Sequence, residues 1–183
     1  MNPLSSIDDI ARLYAARGDA HYGEDVTQIE HALQCAALAQ AAGSPPSLIV
    51  AALLHDIGHL FENEADAIGS EKDFRHQVVG ARALLPLFPA AVCEPIALHV
   101  DAKRYLCRKE PDYQAGLSAA SKISLALQGG SFDAAQARVF ESNPHARDAI
   151  SLRRFDDTGK SGELVALTFS DFMPLIRRVA YAA

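Results

Sequence analysis

The segment Ala51-Ala-Leu-Leu-His-Asp-Ile-Gly-His59 ends the most hydrophobic run of the sequence and places a histidine beside an aspartate at its end. A carboxylate has two oxygens and can bridge two cations, while the adjacent imidazole can hold one of them. An aspartate buried without a partner would carry a desolvation cost of roughly several kcal/mol. A metal ion would supply the compensating charge, so the segment predicts a metal site.

Further candidate ligands occur at ordered points on both sides of this segment. Together with His55 and Asp56 they are His31 upstream and His76, His99 and Asp156 downstream. One histidine at the end of an apolar helix is more often a hydrogen-bonded core residue, but their number around one aspartate favours a two-metal centre. The donors are nitrogen and oxygen only, which suits iron, manganese or zinc and disfavours copper–thiolate and iron–sulfur sites.

Turn residues divide the chain into helical segments, and no alternating strand pattern of useful length is present. We expect a first helix that ends near Ala16, a second over 28–42, a third that begins at Ser47, a fourth over 74–87 and a fifth from about Pro89 to Val100. A sixth ends before Gly129, a seventh begins after Ser131, an eighth runs from Pro144 to Asp156, and a ninth begins at Ser170. The predicted fold is all-α. We expect one domain over 1–183, with the metal-site core at about 20–160 and a terminal helix at about 170–182.

Composition argues against several classes of function. The 23 acidic and 17 basic residues give a net charge of -6, which disfavours nucleic-acid and anionic-membrane partners. The strongly apolar run at 48–54 is too short to cross a bilayer, and the polar, acidic start does not resemble a signal peptide. The three cysteines show no Cys-x-x-Cys spacing. We expect a cytoplasmic protein, and the sequence does not indicate an oligomeric state.

The order of the candidate ligands resembles that of the metal-dependent HD superfamily, an all-helical fold whose members are mostly phosphohydrolases. His76 and His99 resemble the extra ligands of the subgroups that bind two metals. The resemblance implies that Asp56 bridges the two metals and that His76 and His99 hold one of them. The other would be held by His31, His55 and Asp156.

Four segments narrow the resemblance to the HD-domain mixed-valent diiron oxygenases, which break the C–P bond of 1-hydroxyphosphonates. They are 28–36, His99-Val-Asp-Ala-Lys-Arg-Tyr-Leu106, 118–130 and Arg153-Arg-Phe-Asp156, within a match that covers about 20–160. This resemblance implies two iron ions, Fe(II) and Fe(III). It also implies a small-molecule organophosphonate and O2 as the reactants.

The same resemblance implies contacts with the substrate. His59 and Lys103 would contact its head, Arg153 would bind the phosphonate, and Ser121 and Ser124 would add hydroxyl donors. A dianion that enters a largely apolar cavity needs cationic donors, and a guanidinium offers a planar fork of N–H groups.

A loop before the first-ligand histidine resembles the segment that recognises the substrate amine. Glu24 would meet an ammonium group there. Tyr22 is offset by one position from the family's tyrosine, which guards the open iron, and His21 stands in the expected place. Tyr22 is therefore a lid, an aromatic face for a cationic substrate group, or a loop tyrosine packed on the surface.

The resemblance implies O2-dependent cleavage of a 2-amino-1-hydroxyethylphosphonate to glycine and phosphate. An N-trimethyl substrate that gives glycine betaine is the close alternative. A two-metal phosphohydrolase that acts on a phosphate ester or nucleotide could use the same ligands. The Lys103 and Arg153 segments favour the oxygenase over the hydrolase.

Overall fold

Helices make up the regular structure of this protein, in a computed structural model that describes residues 4–21, 25–61, 75–161 and 166–181. They are α1 (Ile7–Arg17), α2 (Gln28–Ala41), α3 (Pro46–Leu54), a short 3-10 helix (Ile57–Phe61), α4 (His76–Leu84), α5 (Ala90–Lys109), α6 (Tyr113–Gly116), α7 (Ala119–Leu127), α8 (Ala134–Glu141), α9 (Ala146–Thr158) and α10 (Phe169–Val179). No strand occurs in these ranges, and the all-α prediction is confirmed. None of the described helices is both long enough and apolar enough to cross a membrane.

The centre of the fold is α3, which is buried on nearly all sides, as its composition predicts. Helices α2, α5, α9 and α10 pack around it, and α9 also packs on both α2 and α5. The start of α2 is fixed by a capping box between Thr27 and Glu30. The ends and inner faces of α2, α3, α5 and α9 therefore meet in one buried region.

Two side chains of α1 donate hydrogen bonds to the segment at 51–60, which contains His55 and Asp56. The Tyr14 hydroxyl donates to the carbonyl of Leu53 at 3.0 Å, and Arg17 Nη1 donates to the carbonyl of Leu60 at 3.0 Å. These carbonyls lie on either side of the segment that contains His55, and the ends of short helices need such partners. Helix α1 thus fixes the turn between α3 and the 3-10 helix.

Helix α5 differs most from the sequence expectation, because it does not end at Val100 but continues to Lys109. The residues after Val100 contain no helix stop before Pro111, so the helix has no local reason to end there. Lys103 consequently lies one turn after His99 on the same face of one helix.

Other helix boundaries also depart from prediction. Asp133, not Ser131, caps α8 by accepting hydrogen bonds from the backbone N–H groups of Ala135 and Gln136. Pro144 lies just before α9 rather than in its first turn, and α4 ends at Leu84 rather than at residue 87. Such shifts of two or three residues reflect caps that compete locally, and they do not move any candidate ligand.

Candidate metal centre

All six candidate metal ligands converge on the region where the central helices meet. His31 lies on α2, His55 ends α3, Asp56 precedes the 3-10 helix, His76 begins α4, His99 lies on α5 and Asp156 lies on α9. His55 and His99 are 0% and 1% exposed, so they have left water almost completely. Because the six come from five separate parts of the chain, only the folded chain brings them together.

The first pair of imidazoles consists of His31 and His55, whose Nε2 atoms lie 3.3 Å apart. Each ring also places its Nδ1 beside a backbone carbonyl, that of Gly159 at 2.7 Å and that of Ala52 at 3.0 Å. A carbonyl can only accept, so each Nδ1 donates its proton. In the neutral tautomers the two Nε2 lone pairs then face each other, an arrangement that a cation between them would stabilise.

The second pair repeats this arrangement at a neighbouring position. The Nε2 atoms of His76 and His99 lie 3.2 Å apart, and His99 Nδ1 donates to the carbonyl of Ile96 at 2.8 Å. The ring of His59 stacks on that of His76, with their centroids 4.0 Å apart. The second pair is therefore also oriented by contacts behind the rings.

Asp56 lies between the two pairs and presents one oxygen to each. Oδ2 is 3.4 Å from His55 Nε2 and 3.6 Å from His31 Nε2. Oδ1 is 3.4 Å from His76 Nε2 and 3.7 Å from His99 Nε2. A carboxylate that faces two separate pairs of imidazole nitrogens is placed to bridge two cations.

Asp156 lies beside the first pair of imidazoles. Its Oδ1 lies 3.4 Å from His31 Nε2 and its Oδ2 lies 4.0 Å from His55 Nε2. Two ligand atoms on one ion, each about 2.1 Å from it and about a right angle apart, lie about 3 Å from each other. The observed separations are close to that value, so the donor set fits metal ions at both positions.

The ionisation states of these groups also suit metal ligands. Burial lowers the pKa of His55 and His76, and it lowers the pKa of His99 to about 3, so these imidazoles are neutral and keep a lone pair. Burial alone would raise the pKa of Asp56, but the surrounding imidazoles, led by His55, hold it below its usual range. Burial also lowers the pKa of His31, whereas Cys35 and Asp156 raise it above its usual value. A metal at the first position would therefore compete with a proton for His31.

Comparison with known proteins agrees with this geometry. A family model described as the HD domain matches residues 29–126, more than half of the chain. The chain belongs to the HD-domain family. Asp156 lies beyond the residues that this family model matches, and its distance from His31 connects it to the centre.

Two relatives narrow the branch of the family. The chain is 46% identical over 160 residues to the hydroxymethylphosphonate dioxygenase of Gimesia maris. This alignment covers 86% of the chain and 80% of the relative. It is 39% identical over 182 residues to the [1-hydroxy-2-(trimethylamino)ethyl]phosphonate dioxygenase (glycine-betaine-forming) of Leisingera caerulea. This second alignment covers 98% of the chain and 92% of the relative. The resemblance to the oxygenase branch is confirmed, and the chain is an oxidoreductase of the dioxygenase type.

Buried cationic side chains adjoin the metal centre. Lys103 is 2% exposed and donates from Nζ to Ser124 Oγ at 2.8 Å. Burial, together with the nearby charge of Arg153, lowers the pKa of Lys103 to about 8. Arg153 donates from Nη1 to Asp156 Oδ2 at 2.6 Å and from Nη2 to Ser121 Oγ at 3.3 Å. These residues form a buried, positively charged wall beside the first metal position.

The substrate residues expected from the sequence lie partly within this region. Arg153 contacts Asp156 and Ser121, and His59 stacks on His76. Lys103 contacts Ser124, which donates to the carbonyl of Ser121. Arg154 instead points to Glu110 on the surface, so Arg153 is the member of that pair at the site. Tyr22 and Glu24 lie outside the described residues.

Sequence reasoning missed three residues of this wall. Tyr113 accepts a hydrogen bond from Arg153 Nε at 3.2 Å, and Asp157 pairs with Arg153 Nη2. Lys160 lies 3.3 Å from Asp156 Oδ1 and 3.2 Å from Ser121 Oγ. The sequence signal for Lys160 was its spacing of four residues from Asp156, within a segment interpreted only as a break between helices.

Proposed function

We propose that this protein uses two iron ions, Fe(II) and Fe(III), and O2 to cleave the C–P bond of a 1-hydroxyphosphonate. One O2 and one substrate would give one carboxylate, one phosphate and one proton, so the substrate itself supplies all the electrons. The observation that supports this best is Asp56, with each carboxylate oxygen facing one pair of imidazole nitrogens. The names of the two relatives support the choice of a phosphonate as the substrate class.

The proposed ligand assignment follows the two pairs. His31, His55 and Asp156 would hold one iron, His76 and His99 the other, and Asp56 would bridge them. When bound, such a centre supplies one-electron redox chemistry towards O2 and acts as a Lewis acid towards the substrate hydroxyl. The backbone carbonyls of Gly159, Ala52 and Ile96 orient three of the imidazoles for that role.

The proposed work of the other residues is to hold the phosphonate and exclude water. Lys103 and Arg153 would neutralise the dianion, and Ser121 and Ser124 would donate hydroxyl hydrogen bonds. His59 would contact the substrate from the side of the second metal position, where its ring stacks on His76. Both cations are almost fully buried, and a charge–charge contact is strong where water is excluded.

The group on the second carbon of the substrate distinguishes the finer proposals. Glu24 favours 2-amino-1-hydroxyethylphosphonate, which gives glycine, and its N-trimethyl analogue, which gives glycine betaine, is supported by the Leisingera relative. The Gimesia relative supports hydroxymethylphosphonate, which has no second carbon and would give formate. Comparison of kcat/KM for the three substrates decides among them. Glu24→Gln should lower kcat/KM only for a substrate that carries the cationic nitrogen.

The competing function is hydrolysis of a phosphate ester by a metal-bound hydroxide. The experiment that separates the two functions uses protein loaded with iron and partly oxidised. Phosphate release from a 1-hydroxyphosphonate should require O2 and should consume one O2 for each phosphate. Release that continues under strict anoxia, or turnover of phosphate monoesters alone, would refute the oxygenase proposal.

A further inference from the structure

Lys160 lies in a closed ring of charged and polar groups beside the metal centre. Its Nζ is 3.3 Å from Asp156 Oδ1 and 3.2 Å from Ser121 Oγ. Ser121 Oγ in turn accepts from Arg153 Nη2 at 3.3 Å, and Arg153 Nη1 returns to Asp156 Oδ2 at 2.6 Å. Two cations therefore share one serine hydroxyl at the edge of the first metal position.

The backbone on both sides of Lys160 is held by α2. The carbonyl of Gly159 accepts from His31 Nδ1 at 2.7 Å. The backbone N–H of Ser161 donates to Gln34 Oε1 at 3.1 Å, and Gln34 Nε2 donates to the Ser161 carbonyl at 2.8 Å. The side chain of Lys160 is only 16% exposed. Lys160 thus differs from a solvated surface lysine, because its neighbours fix where its ammonium group can lie.

Counting hydrogen-bond donors indicates what the ring lacks. A guanidinium has five N–H groups. Among the described residues, Arg153 directs four of them to Tyr113, Asp156, Asp157 and Ser121, which leaves one. An ammonium group has three N–H groups on one atom and can turn them between acceptors. The wall therefore needs ammonium donors beyond Arg153 to satisfy an anion that carries three oxygens.

The balance of charges beside the first metal position also points to Lys160 as an anion-binding residue. Lys103, Arg153 and Lys160 carry three positive charges, and Asp156 and Asp157 supply two negative charges beside them. If Asp156 binds a metal, its charge is shared with that ion, and the wall has an excess of positive charge. A dianion would balance this excess better than a monoanion.

We propose that Lys160 is a third phosphonate-binding cation, which acts with Lys103 and Ser121, while Arg153 contributes its charge and its one remaining N–H group. Lys160 would favour a dianionic phosphonate over a monoanionic carboxylate analogue of the same shape. This inference rests on the proposed function for the identity of the anion. The binding of the anion can nevertheless be measured without turnover.

The test uses metal-loaded, full-length protein and methylphosphonate as a probe that cannot react, with binding measured by calorimetry. Lys160→Met should weaken binding by about tenfold or more, since a charge-assisted contact is lost, and Lys160→Arg should restore most of the affinity. Lys122→Met is the matched control, because Lys122 is exposed on α7 and donates to the carbonyl of Ala115. It should bind methylphosphonate as the unchanged protein does.

A structural role for Lys160 is separated by two further measurements. Metal content should stay the same in Lys160→Met, and KM for the hydroxyphosphonate should rise more than kcat falls. Unchanged affinity for methylphosphonate in Lys160→Met would overturn the inference, as would a loss of affinity only in proportion to lost metal. Failure of the unchanged protein to bind methylphosphonate would overturn it too. Binding without O2-dependent turnover would instead refute the proposed function and leave the Lys160 site standing.

Discussion

Replacing Gly58 by alanine should empty one metal position and leave the other filled. Gly58 lies in the 3-10 helix against the first residue of α4. A Cβ at this position would lie 2.0 Å from the carbonyl oxygen of His76 and 2.9 Å from its Cα. From the other side, a Cβ on Gly80 would lie 3.0 Å from the Gly58 nitrogen. The two backbones approach so closely that no flexible side chain can move aside to make room.

The size of the displacement follows from these distances. Carbon and oxygen atoms in contact lie at least about 3 Å apart, so the His76 backbone must move by about 1 Å. Metal–ligand distances tolerate only about 0.2 Å, so His76 Nε2 would leave the second position. That position would keep only His99 and Asp56, and we expect its metal affinity to fall by more than about 100-fold. The three atoms nearest to that Cβ all belong to His76, so His31, His55 and Asp156 should keep the first metal.

The assay is elemental analysis of metal per chain after dialysis against a fixed free-metal concentration. Gly58→Ala should hold about half the metal of the unchanged protein and keep its helical circular dichroism. Gly116→Ala is the matched control, because a Cβ at Gly116 would meet nothing within 4 Å. Full retention of both metals in Gly58→Ala, or equal loss of both with the helical signal intact, would refute the reasoning.

Three further predictions concern the residues around the centre. First, kcat/KM should fall as pH rises through about 8, because burial lowers the pKa of Lys103 to about 8 and its ammonium group loses a proton above that pH. Lys103→Arg should move this fall in kcat/KM to higher pH. A kcat/KM that stays constant across this pH range would contradict the prediction. Second, Gly159→Ala should lower the affinity of the first metal position, measured by metal titration, because the new Cβ would lie 2.6 Å from Cys35 Sγ. Adding Cys35→Ala in the same chain should restore the metal affinity. Third, Asp157→Asn should raise KM more than it lowers kcat, because Arg153 loses an ion pair that orients it, and equal effects on both would argue against a positioning role.

The sequence was sufficient for the fold class and for the order of the candidate ligands. Helix caps such as Thr27 and glycine stops are local signals, and the apolar run before His55 indicated a central helix. The pairing of His76 with His99 was predicted from the family resemblance and not from a local sequence pattern. The spacing of apolar residues predicts a helix, but it does not predict which two helices pack against each other. The structure supplies their separation of 3.2 Å.

The rest of the site depends on contacts between residues far apart in the chain. Lys160 reaches the centre because Gln34 holds Ser161, across 127 residues of sequence. Gly58 matters only because α4 packs against it, and no turn signal in the sequence shows that contact. The continuation of α5 through Lys103 was missed because Val100 was interpreted as an end, although no helix stop follows it.

The most direct test of the dinuclear centre is EPR spectroscopy of iron-loaded, partly oxidised protein. Two irons bridged by Asp56 should give a coupled Fe(II)/Fe(III) signal, and Asp56→Ala should abolish it. An isolated ferric signal in the unchanged protein, with at most one iron per chain, would contradict the account.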